Sequence, residues 1–381
     1  MFTVCHMTSV HSQKDIRIFE KECSALVEVG YEVHLVAPGK NGKDNGVHIH
    51  GVGDRPKSRL KRIFLFSRLV YREALKVDAQ IYHFHDPELI PYGLKLQRKG
   101  KKIIFDSHEN VLEYLTEKTY IPRLIRMICG KAFLSYIKFS CSKFDCIISV
   151  DPIICNNYKQ INKNVKMIAN YPVVDKSNMY ENEFLKEQKY IAFAGGIDSQ
   201  WNHDTIINAI ENIEGIKYIL CGTAENKYLE YLKTLPGWKK VEFRGKVAHK
   251  EALNILHSSI AGVALCSSSN NTNGKKGTLG NTKLFEIMMS TVPVICTSFN
   301  SWKKIIEENQ CGICVDPRNT VAVKEAIQAI LDNPRKAQEM GKRGKKIVIE
   351  KYNWENEKRK LCDLYADLQY GSLKDNRAQR I

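Results

Sequence analysis

Gly277-Thr278-Leu279-Gly280-Asn281-Thr282-Lys283-Leu284-Phe285-Glu286 is the stretch of this chain that decides its fold. It has the pattern of a glycine-containing turn that leads into a helix, with Asn281 or Thr282 as the N-cap. An apolar strand follows at once, at residues 292–297. A turn, a short helix and a buried strand in this order are typical of a parallel α/β sheet.

The same stretch indicates an anion-binding site. Gly277 and Gly280 allow a ligand to approach the backbone closely. The N-terminus of the helix presents N–H groups and a partial positive charge, which suit a phosphate. Glu286 lies one turn into the helix, within reach of two sugar hydroxyls. A diphosphate beside a ribose predicts a nucleotide, bound beyond the carboxyl ends of the strands.

Size and composition set the class of protein. A chain of 381 residues, 43% of them hydrophobic, is long enough for two globular domains. No apolar run approaches the roughly 18 residues of a membrane-spanning helix, and the first residues lack a signal-peptide pattern. Twelve cysteines are scattered, mostly through apolar segments, so we expect buried thiols in a reducing, cytoplasmic compartment.

The charge is strongly basic, with a formal net charge of +16. The excess is densest in residues 55–76, which we call the basic–apolar segment, where basic residues alternate with leucine, phenylalanine and tyrosine. Such a segment predicts contact with an anionic membrane surface, through Arg59, Lys61 and Arg62. The same segment could instead bind nucleic acid, which we do not expect. The simplest alternative is a helix whose basic face is only solvated.

Strand and helix patterns alternate in two runs that a polar stretch separates. We therefore predict a first domain over residues 1–170, a linker over 171–188, a second domain over 189–350, and a C-terminal helix and tail over 351–381.

Several motifs resemble those of a known family. They are the stretch from His11 to Pro38, His85-Asp86-Pro87-Glu88-Leu89, Asp106-Ser107-His108-Glu109, Ala194-Gly195-Gly196-Ile197, Lys283-Leu284-Phe285-Glu286, and the stretch from Asn309 to Pro317. With them the chain resembles the family-4 retaining glycosyltransferases of the GT-B fold, in a bacterial cell-envelope branch. The resemblance implies an α/β fold of two Rossmann-like domains with parallel sheets facing a central cleft, and a C-terminal helix that returns toward the first domain.

The resemblance also implies a nucleotide-diphosphate-sugar donor in the second domain, with UDP favoured over GDP. Glu286 matches the family glutamate that binds the ribose. The other implied donor-binding residues are Gly195, Gly196, Arg244, Gly277, Thr278, Leu279, Gly280, Asn281, Thr282 and Lys283.

This chain departs from the family pattern at two places. Thr278 stands where many members carry glutamate, so backbone N–H groups of residues 277–280 are expected to contact the donor sugar. The arginine and lysine that usually follow the second-domain glycines are missing, and Lys283, Lys275, Lys276 or Arg244 are candidates to replace them at the diphosphate.

For the first domain the resemblance implies catalytic roles for His108 and Glu109. The acceptor side would comprise His11, Asp15, Arg17 and His85. The implied reaction is hexosyl transfer with retention, by attack on the face that the phosphate leaves, to a lipid-linked or saccharide acceptor in envelope polysaccharide assembly. We expect a peripheral enzyme at the inner face of the membrane.

Neither a metal ion nor a cofactor is expected. The chain has no Asp-x-Asp motif. His48 and His50, like His83 and His85, each place two imidazoles on one strand face, but no third ligand is evident from the sequence. Two other functions stay open at this point: a sugar-nucleotide epimerase of the same fold, and a catalytically silent protein that binds a nucleotide or nucleic acid.

Overall fold

The computed structural model describes residues 2–108, 123–174, 189–269, 272 and 274–378. The chain forms two compact units. The first unit comprises Met1–Asn170 together with Glu355–Ile381, and the second comprises Tyr171–Trp354.

The first unit is built on an eight-stranded sheet with the strand order β3-β4-β2-β1-β5-β6-β7-β8. Every neighbouring pair is parallel except β3 and β4. The strands are β1 (Thr3–Met7), β2 (Glu32–Ala37), β3 (Gly42–Asp44), β4 (Val47–Gly51), β5 (Ile81–Phe84), β6 (Lys102–Ser107), β7 (Cys146–Ser149) and β8 (Val165–Met167).

Helices connect these strands and cover the sheet. They are α1 (Ser24–Glu28), α2 (Arg59–Lys61), α3 (Ser67–Val77), α4 (Ile90–Gln97), α5 (Arg123–Cys141), α6 (Pro152–Lys159) and α14 (Trp354–Ala378). A π-helical segment, Ile16–Cys23, runs directly into α1, and a second one, Arg62–Phe66, joins α2 to α3. A short 3-10 turn, Pro87–Leu89, precedes α4.

The central strands of this sheet are buried on both faces, so they read as nearly continuous apolar runs. Phe84 of β5 stacks on Phe105 of β6, with ring centroids 4.9 Å apart, and Phe144 packs edge-on against both rings. Several buried polar residues of the unit, among them Asp86, Asp106 and Ser149, lie at or just after the carboxyl ends of the strands.

The second unit has a six-stranded, all-parallel sheet with the order β11-β10-β9-β12-β13-β14. Its strands are β9 (Lys189–Ala194), β10 (Ile216–Cys221), β11 (Val241–Gly245), β12 (Ala261–Ala264), β13 (Val294–Thr297) and β14 (Gly312–Val315). Its helices are α7 (His203–Ile210), α8 (Asn226–Lys233), α9 (His249–Ser258), α10 (Thr282–Met289), α11 (Asn300–Glu308), α12 (Thr320–Asp332) and α13 (Pro334–Glu350). Short 3-10 turns occur at Ser199–Trp201, Pro236–Lys240 and Gly274–Lys276.

The fold class predicted from the sequence is confirmed: both units are α/β with parallel sheets. The last helix also returns to the first unit as expected, because the Tyr365 hydroxyl of α14 lies 3.1 Å from Nε2 of His6 and 2.9 Å from Nδ1 of His83. The start of the predicted linker belongs to the second unit, since Tyr171 packs edge-on against Phe285 and Tyr352. The rest of that linker, residues 175–188, lies outside the described residues.

The helices in the described part of the chain include none with the length and apolar character needed to cross a bilayer.

Candidate functional site

A cavity of about 300 Å³ opens at the carboxyl ends of three neighbouring strands in the second unit. It lies where β9, β10 and β11 end, which is the edge of a parallel sheet where ligands bind. Its lining is mostly backbone and small side chains, with one cation: Gly195, Gly196, Cys221, Gly222, Thr223, Lys246 and Val247.

Two glycines that line this cavity allow its turns to pack closely. Gly195 and Gly222 have φ angles of +156° and +142°, a backbone conformation that side chains disfavour. A β-carbon on Gly222 would overlap the carbonyl oxygen of Gly195, and one on Gly195 would overlap Cε and Nζ of Lys283. The two turns therefore pack backbone against backbone, and the Lys283 side chain crosses the space that a larger residue would fill.

Lys283 is the cation that the fold directs at the first of these turns. Its Nζ lies 5.6 Å from the centre of the Phe193 ring and 5.4 Å from that of Trp201, in cation–π geometry. Burial lowers the pKa of this ammonium, while the charges of Glu286 and Asp198 act in the opposite direction. A partly desolvated ammonium held against a glycine turn is well suited to neutralise a phosphate.

The turn before α10 is more internally bonded than the sequence suggests. Asn281 is the N-cap, and its Oδ1 accepts a hydrogen bond from the Lys283 N–H at 3.1 Å. The Gly280 N–H donates to Oγ1 of Thr278 at 3.0 Å, and the Thr278 carbonyl accepts from Nε1 of Trp302 at 2.7 Å. The N–H groups of Gly280 and Lys283 are thus already hydrogen-bonded within the turn, and the predicted contact of the turn's amides with a ligand stays a prediction.

The remaining donor-site predictions fall on both sides of this turn. Glu286 is half-buried, three residues after Lys283 on α10, and Leu279 and Thr282 are half-buried beside the cap. Gly277 is buried, and a β-carbon there would meet Phe299 at the start of α11, so this glycine serves packing within the unit.

Arg244 does not line this cavity in the structure, and its role at the diphosphate stays a prediction. Its Nε and Nη2 lie 2.8 and 2.7 Å from one oxygen of Glu242, on the exposed edge strand β11. Arg244 is thus ion-paired at the surface, and the cation in the cavity lining is Lys246, which the sequence analysis missed. The available signal was its position, because Lys246 comes directly after a strand, as Gly195 does.

In the first unit, the carboxylate of Asp106 positions His108. Oδ2 of Asp106 lies 3.0 Å from Nε2 of His108 and accepts a hydrogen bond from Nε of Arg17 at 2.9 Å. Burial by itself would raise the pKa of Asp106, but Arg17 and His108 outweigh it and hold the pKa well below its usual range. The half-buried His108 ring is therefore fixed from behind by a buried, charged acid.

Arg17 and His85 lie in the interior rather than on an acceptor-binding surface. Arg17 is 4% exposed and His85 is 2% exposed. Arg17 bonds to Asp106 and to the carbonyl of Ile168, and Nδ1 of His85 lies 3.3 Å from Nε2 of His108. The prediction that Arg17 and His85 contact an acceptor directly is therefore wrong, because both side chains are buried and hold other side chains in place.

His11 and Asp15 are more accessible. Asp15 caps the π-helical segment by accepting from the N–H groups of Arg17 and Ile18, and its other oxygen lies 3.0 Å from Nδ1 of His11. Burial lowers the pKa of His11, but the hydrogen bond to Asp15 and the charges of Asp86 and Asp15 outweigh it, so the pKa is raised. The His11 ring centre is 5.2 Å from that of His108, so the two imidazoles form one half-exposed pair. Glu109 lies outside the described residues.

The basic–apolar segment exposes large apolar side chains. Leu60, Phe64 and Leu65 are 67%, 66% and 61% exposed. Arg59 and Lys61 are exposed beside them, whereas Nε of Arg62 donates to Glu88 at 2.6 Å. Arg62 therefore ties the segment to its own unit through Glu88, and its membrane contact stays a prediction.

Two family models match the chain. Glycosyltransferase Family 4 matches residues 19–175, and Glycosyl transferases group 1 matches residues 174–347. The matches follow one another along the chain, one in each unit. No curated protein sequence matches it significantly.

Solved structures share the whole fold at low identity. Sucrose-phosphate synthase (tll1590) from Thermosynechococcus elongatus is 16% identical with a TM-score of 0.75, over 97% of this chain and 100% of that one. Anabaena Alr3699/HepE in complex with UDP and glucose is 9% identical with a TM-score of 0.68, over 96% and 100%. WaaG, a glycosyltransferase involved in lipopolysaccharide biosynthesis, is 11% identical with a TM-score of 0.68, over 95% and 98%. With a Family 4 match in one unit and a group 1 match in the other, this chain is a glycosyltransferase of the GT-B fold.

Proposed function

We propose that the second unit binds a nucleotide-diphosphate-sugar, with UDP favoured over GDP, as the donor of the transferred sugar. The observation that carries this proposal is the placement of two lysines around backbone turns at the strand ends. Lys246 lines the cavity, and the ammonium of Lys283 lies against Gly195. Glu286, one turn further along α10, is the carboxylate we assign to the ribose hydroxyls.

The same arrangement supports transfer of the sugar with the diphosphate as leaving group. Negative charge grows on the diphosphate as the glycosyl–oxygen bond breaks, and preorganised cations and N–H groups stabilise that charge in a partly desolvated site. In the retaining reaction we propose, the acceptor oxygen bonds to the anomeric carbon on the face that the phosphate leaves. The departing phosphate takes the acceptor's proton, so no enzyme nucleophile is needed.

His108 is the residue of the first unit that we assign to the transferred sugar. Its half-exposed ring is oriented by the Asp106 carboxylate, 3.0 Å away. A fixed imidazole can hydrogen-bond a sugar hydroxyl in one defined direction, which favours one orientation of the reacting carbon. His11 and Asp15 are the accessible groups that we assign to the acceptor side.

Proteins of the same fold support the substrate class. Alr3699/HepE was solved in complexes with UDP and with UDP-glucose, and WaaG is involved in lipopolysaccharide biosynthesis. By this analogy we propose a lipid-linked or saccharide acceptor in cell-envelope polysaccharide assembly.

The first experiment titrates the full chain with UDP and GDP by calorimetry and measures nucleoside diphosphate release from UDP- and GDP-sugars. We expect UDP to bind more tightly, and Glu286→Gln to weaken binding by about tenfold, the value of one charge-assisted hydrogen bond. Glu307→Gln, an exposed acid on α11, is the matched control. An absence of binding by any nucleoside diphosphate would refute the proposal, and binding without sugar transfer would favour the silent relative.

We further propose that the enzyme works at the inner face of the membrane, docked through the basic–apolar segment. Arg59 and Lys61 surround the exposed Leu60 and Phe64, a combination that suits anionic lipid. Co-sedimentation with phosphatidylglycerol-containing vesicles tests it. The double charge reversal Arg59→Glu/Lys61→Glu should abolish binding, while the matched reversal Arg335→Glu/Lys336→Glu at the exposed start of α13 should not. Equal loss in both variants, or in neither, would remove this segment from the proposal.

A further inference from the structure

We propose that His6, Glu22, His83 and His85, which converge inside the first unit, form a binding site for one divalent cation of the zinc class. All four side chains are buried, and one ligand atom from each lies within 4.8 Å of the others. This site goes beyond the proposed donor chemistry, which takes place at the cavity of the second unit.

The fold itself brings the four residues together. His6 of β1 and His83 of β5 are register partners on neighbouring parallel strands. His85 follows β5, and Glu22 comes from the π-helical segment packed over the sheet. Because the ligands are separated by up to about eighty positions in sequence, the spacing of His83 and His85 alone does not reveal them.

The distances suit a small ion. Nδ1 of His6 and Nε2 of His85 are 3.1 Å apart, and each lies 3.9 Å from Oε2 of Glu22. Ligand atoms on a tetrahedral zinc ion are separated by about 3.3–3.6 Å, from bonds of about 2.0–2.2 Å. Shifts of a few tenths of an ångström in the side chains therefore bring this triad to zinc geometry.

Each imidazole uses one nitrogen for an outer partner and turns the other inward. Nε2 of His6 and Nδ1 of His83 both contact the Tyr365 hydroxyl, at 3.1 and 2.9 Å. Nδ1 of His85 lies 3.4 Å from Oδ2 of Asp106. A histidine that binds a metal through one nitrogen and a carboxylate or hydroxyl through the other is the usual outer arrangement of zinc sites.

Two of the four side chains, Glu22 and His83, have inward atoms without a hydrogen bond in the part of the chain that the structure describes, whereas the inward nitrogens of His6 and His85 face each other at 3.1 Å. Both oxygens of Glu22 and Nε2 of His83 are buried without a hydrogen bond among the described residues. Arg17 Nε lies 3.1 Å from Glu22, but its single N–H donates to Asp106. Buried polar atoms without partners are costly, and a cation that all four side chains ligate would satisfy them together.

The donor set selects the ion. Three neutral imidazoles and one carboxylate in a closed, four-coordinate site favour Zn²⁺ over Mg²⁺ or Ca²⁺, which prefer oxygen ligands. No position remains for substrate, so the ion would be structural, tying β1 and β5 to the π-helical segment. His108 and Asp106 converge on His85 from the outer side, where Arg17 already supplies the positive charge.

The wild-type chain, free of any affinity tag, gives the first test. We expect about one zinc per chain by mass spectrometry after dialysis. We also expect that Co²⁺ added to the metal-depleted chain produces the intense visible absorption of four-coordinate Co²⁺ and raises the melting temperature. A chain that folds, binds neither ion stoichiometrically and melts at the same temperature with and without Co²⁺ would overturn the proposal.

Variants then locate the ion. Glu22→Gln and His83→Gln should abolish the Co²⁺ absorption, and Tyr365→Phe, which removes only an outer partner, should weaken Co²⁺ binding by about 10–100-fold. His50→Gln is the control, because His34, His48 and His50 form a separate, half-buried imidazole group on β2 and β4. Loss of the absorption in His50→Gln, or its persistence in His83→Gln, would assign the ion elsewhere.

Discussion

The two units place polar groups at the same edge of similar parallel sheets and use them in opposite ways. In the second unit, glycines follow β9 and β10 and line a cavity of about 300 Å³, with Lys246 in the lining and Lys283 against Gly195. In the first unit, the corresponding strand ends carry large polar side chains that bond to one another and fill the space. There the side chains of Arg17, His85 and Asp106 are almost completely enclosed.

This difference shows how one architecture provides both a binding site and a support. A glycine turn contributes backbone and empty space, so the second unit can accept a ligand. A network of buried side chains contributes rigidity, so the first unit can hold a few partly exposed groups, above all His108, in fixed orientations. Substitutions in the buried network of the first unit should therefore mainly affect stability, and those at the cavity of the second unit should mainly affect ligand affinity.

The largest effect is expected from a substitution in the buried polar network of the first unit. Asp106→Ala removes the acid that pairs with Arg17 and His108, and it leaves a buried guanidinium short of its counter-charge. We expect a loss of about 3–5 kcal/mol in the free energy of unfolding, measured with urea. Asp44→Ala, which breaks an exposed ion pair with Lys14, is the control and should change little. A similar small loss in both variants would contradict the support role.

The next largest effect is expected at the cavity of the second unit. Lys283→Met keeps the length and the apolar stem of the side chain and removes the charge beside Gly195. We expect UDP binding to weaken by about 10–100-fold, which corresponds to roughly 1.5–3 kcal/mol, with the melting temperature unchanged or raised. The control is Lys304→Met, on the exposed side of α11. Unchanged UDP affinity in Lys283→Met would remove this lysine from the diphosphate site.

A third substitution, Gly195→Ala, tests the same site by displacing the Lys283 ammonium instead of removing it. In Gly195→Ala the added β-carbon displaces the end of the Lys283 side chain. We expect UDP affinity to fall by about tenfold and stability by about 1–3 kcal/mol. Gly215→Ala is a matched control, because Gly215 also has a positive φ and its added β-carbon meets no neighbour. Gly215→Ala should lose stability but keep its UDP affinity. A loss of UDP affinity in both variants would assign the effect to backbone strain.

The smallest effect is expected at His11, which lies on the accessible side of the buried network in the first unit. The charges facing His11 are those of Asp15, Asp86 and Asp106, with His108 beside it, and they raise its pKa despite burial. A raised pKa means that the protonated form stabilises the fold below the unfolded value of about 6.5, and that this contribution disappears as the pH rises through the folded value. His11→Gln should thus cost roughly 0.5 kcal/mol at about pH 5 and almost nothing at about pH 9, by urea unfolding. A cost that is independent of pH would show that His11 acts by packing alone.

The sequence predicts the fold well because its signals are local. Apolar runs of strand length alternate with helical periodicity in both halves, and the turn before α10 carries its own cap at Asn281. These patterns depend only on neighbours along the chain, so they can be recognised without knowledge of the tertiary structure. The two-unit α/β class and the return of the last helix followed from them and from the family resemblance.

The candidate site was predictable only in part, because its contacts are between distant residues. Nothing local distinguishes Arg244, which pairs with Glu242, from Lys246, which lines the cavity two residues later. The burial of Arg17 and His85 depends on Asp106, about ninety and twenty positions away in sequence. Motif matching nominates candidate residues and does not say which of them face the solvent.

The discontinuity of the first unit bears on how the protein is made. Glu355–Ile381 completes that unit, and its Tyr365 hydroxyl contacts the first strand through His6, while Glu357 accepts a hydrogen bond from the Ala169 N–H. A ribosome delivers the whole second unit before these contacts can form, so the second unit can fold co-translationally while the first still waits for its final helix.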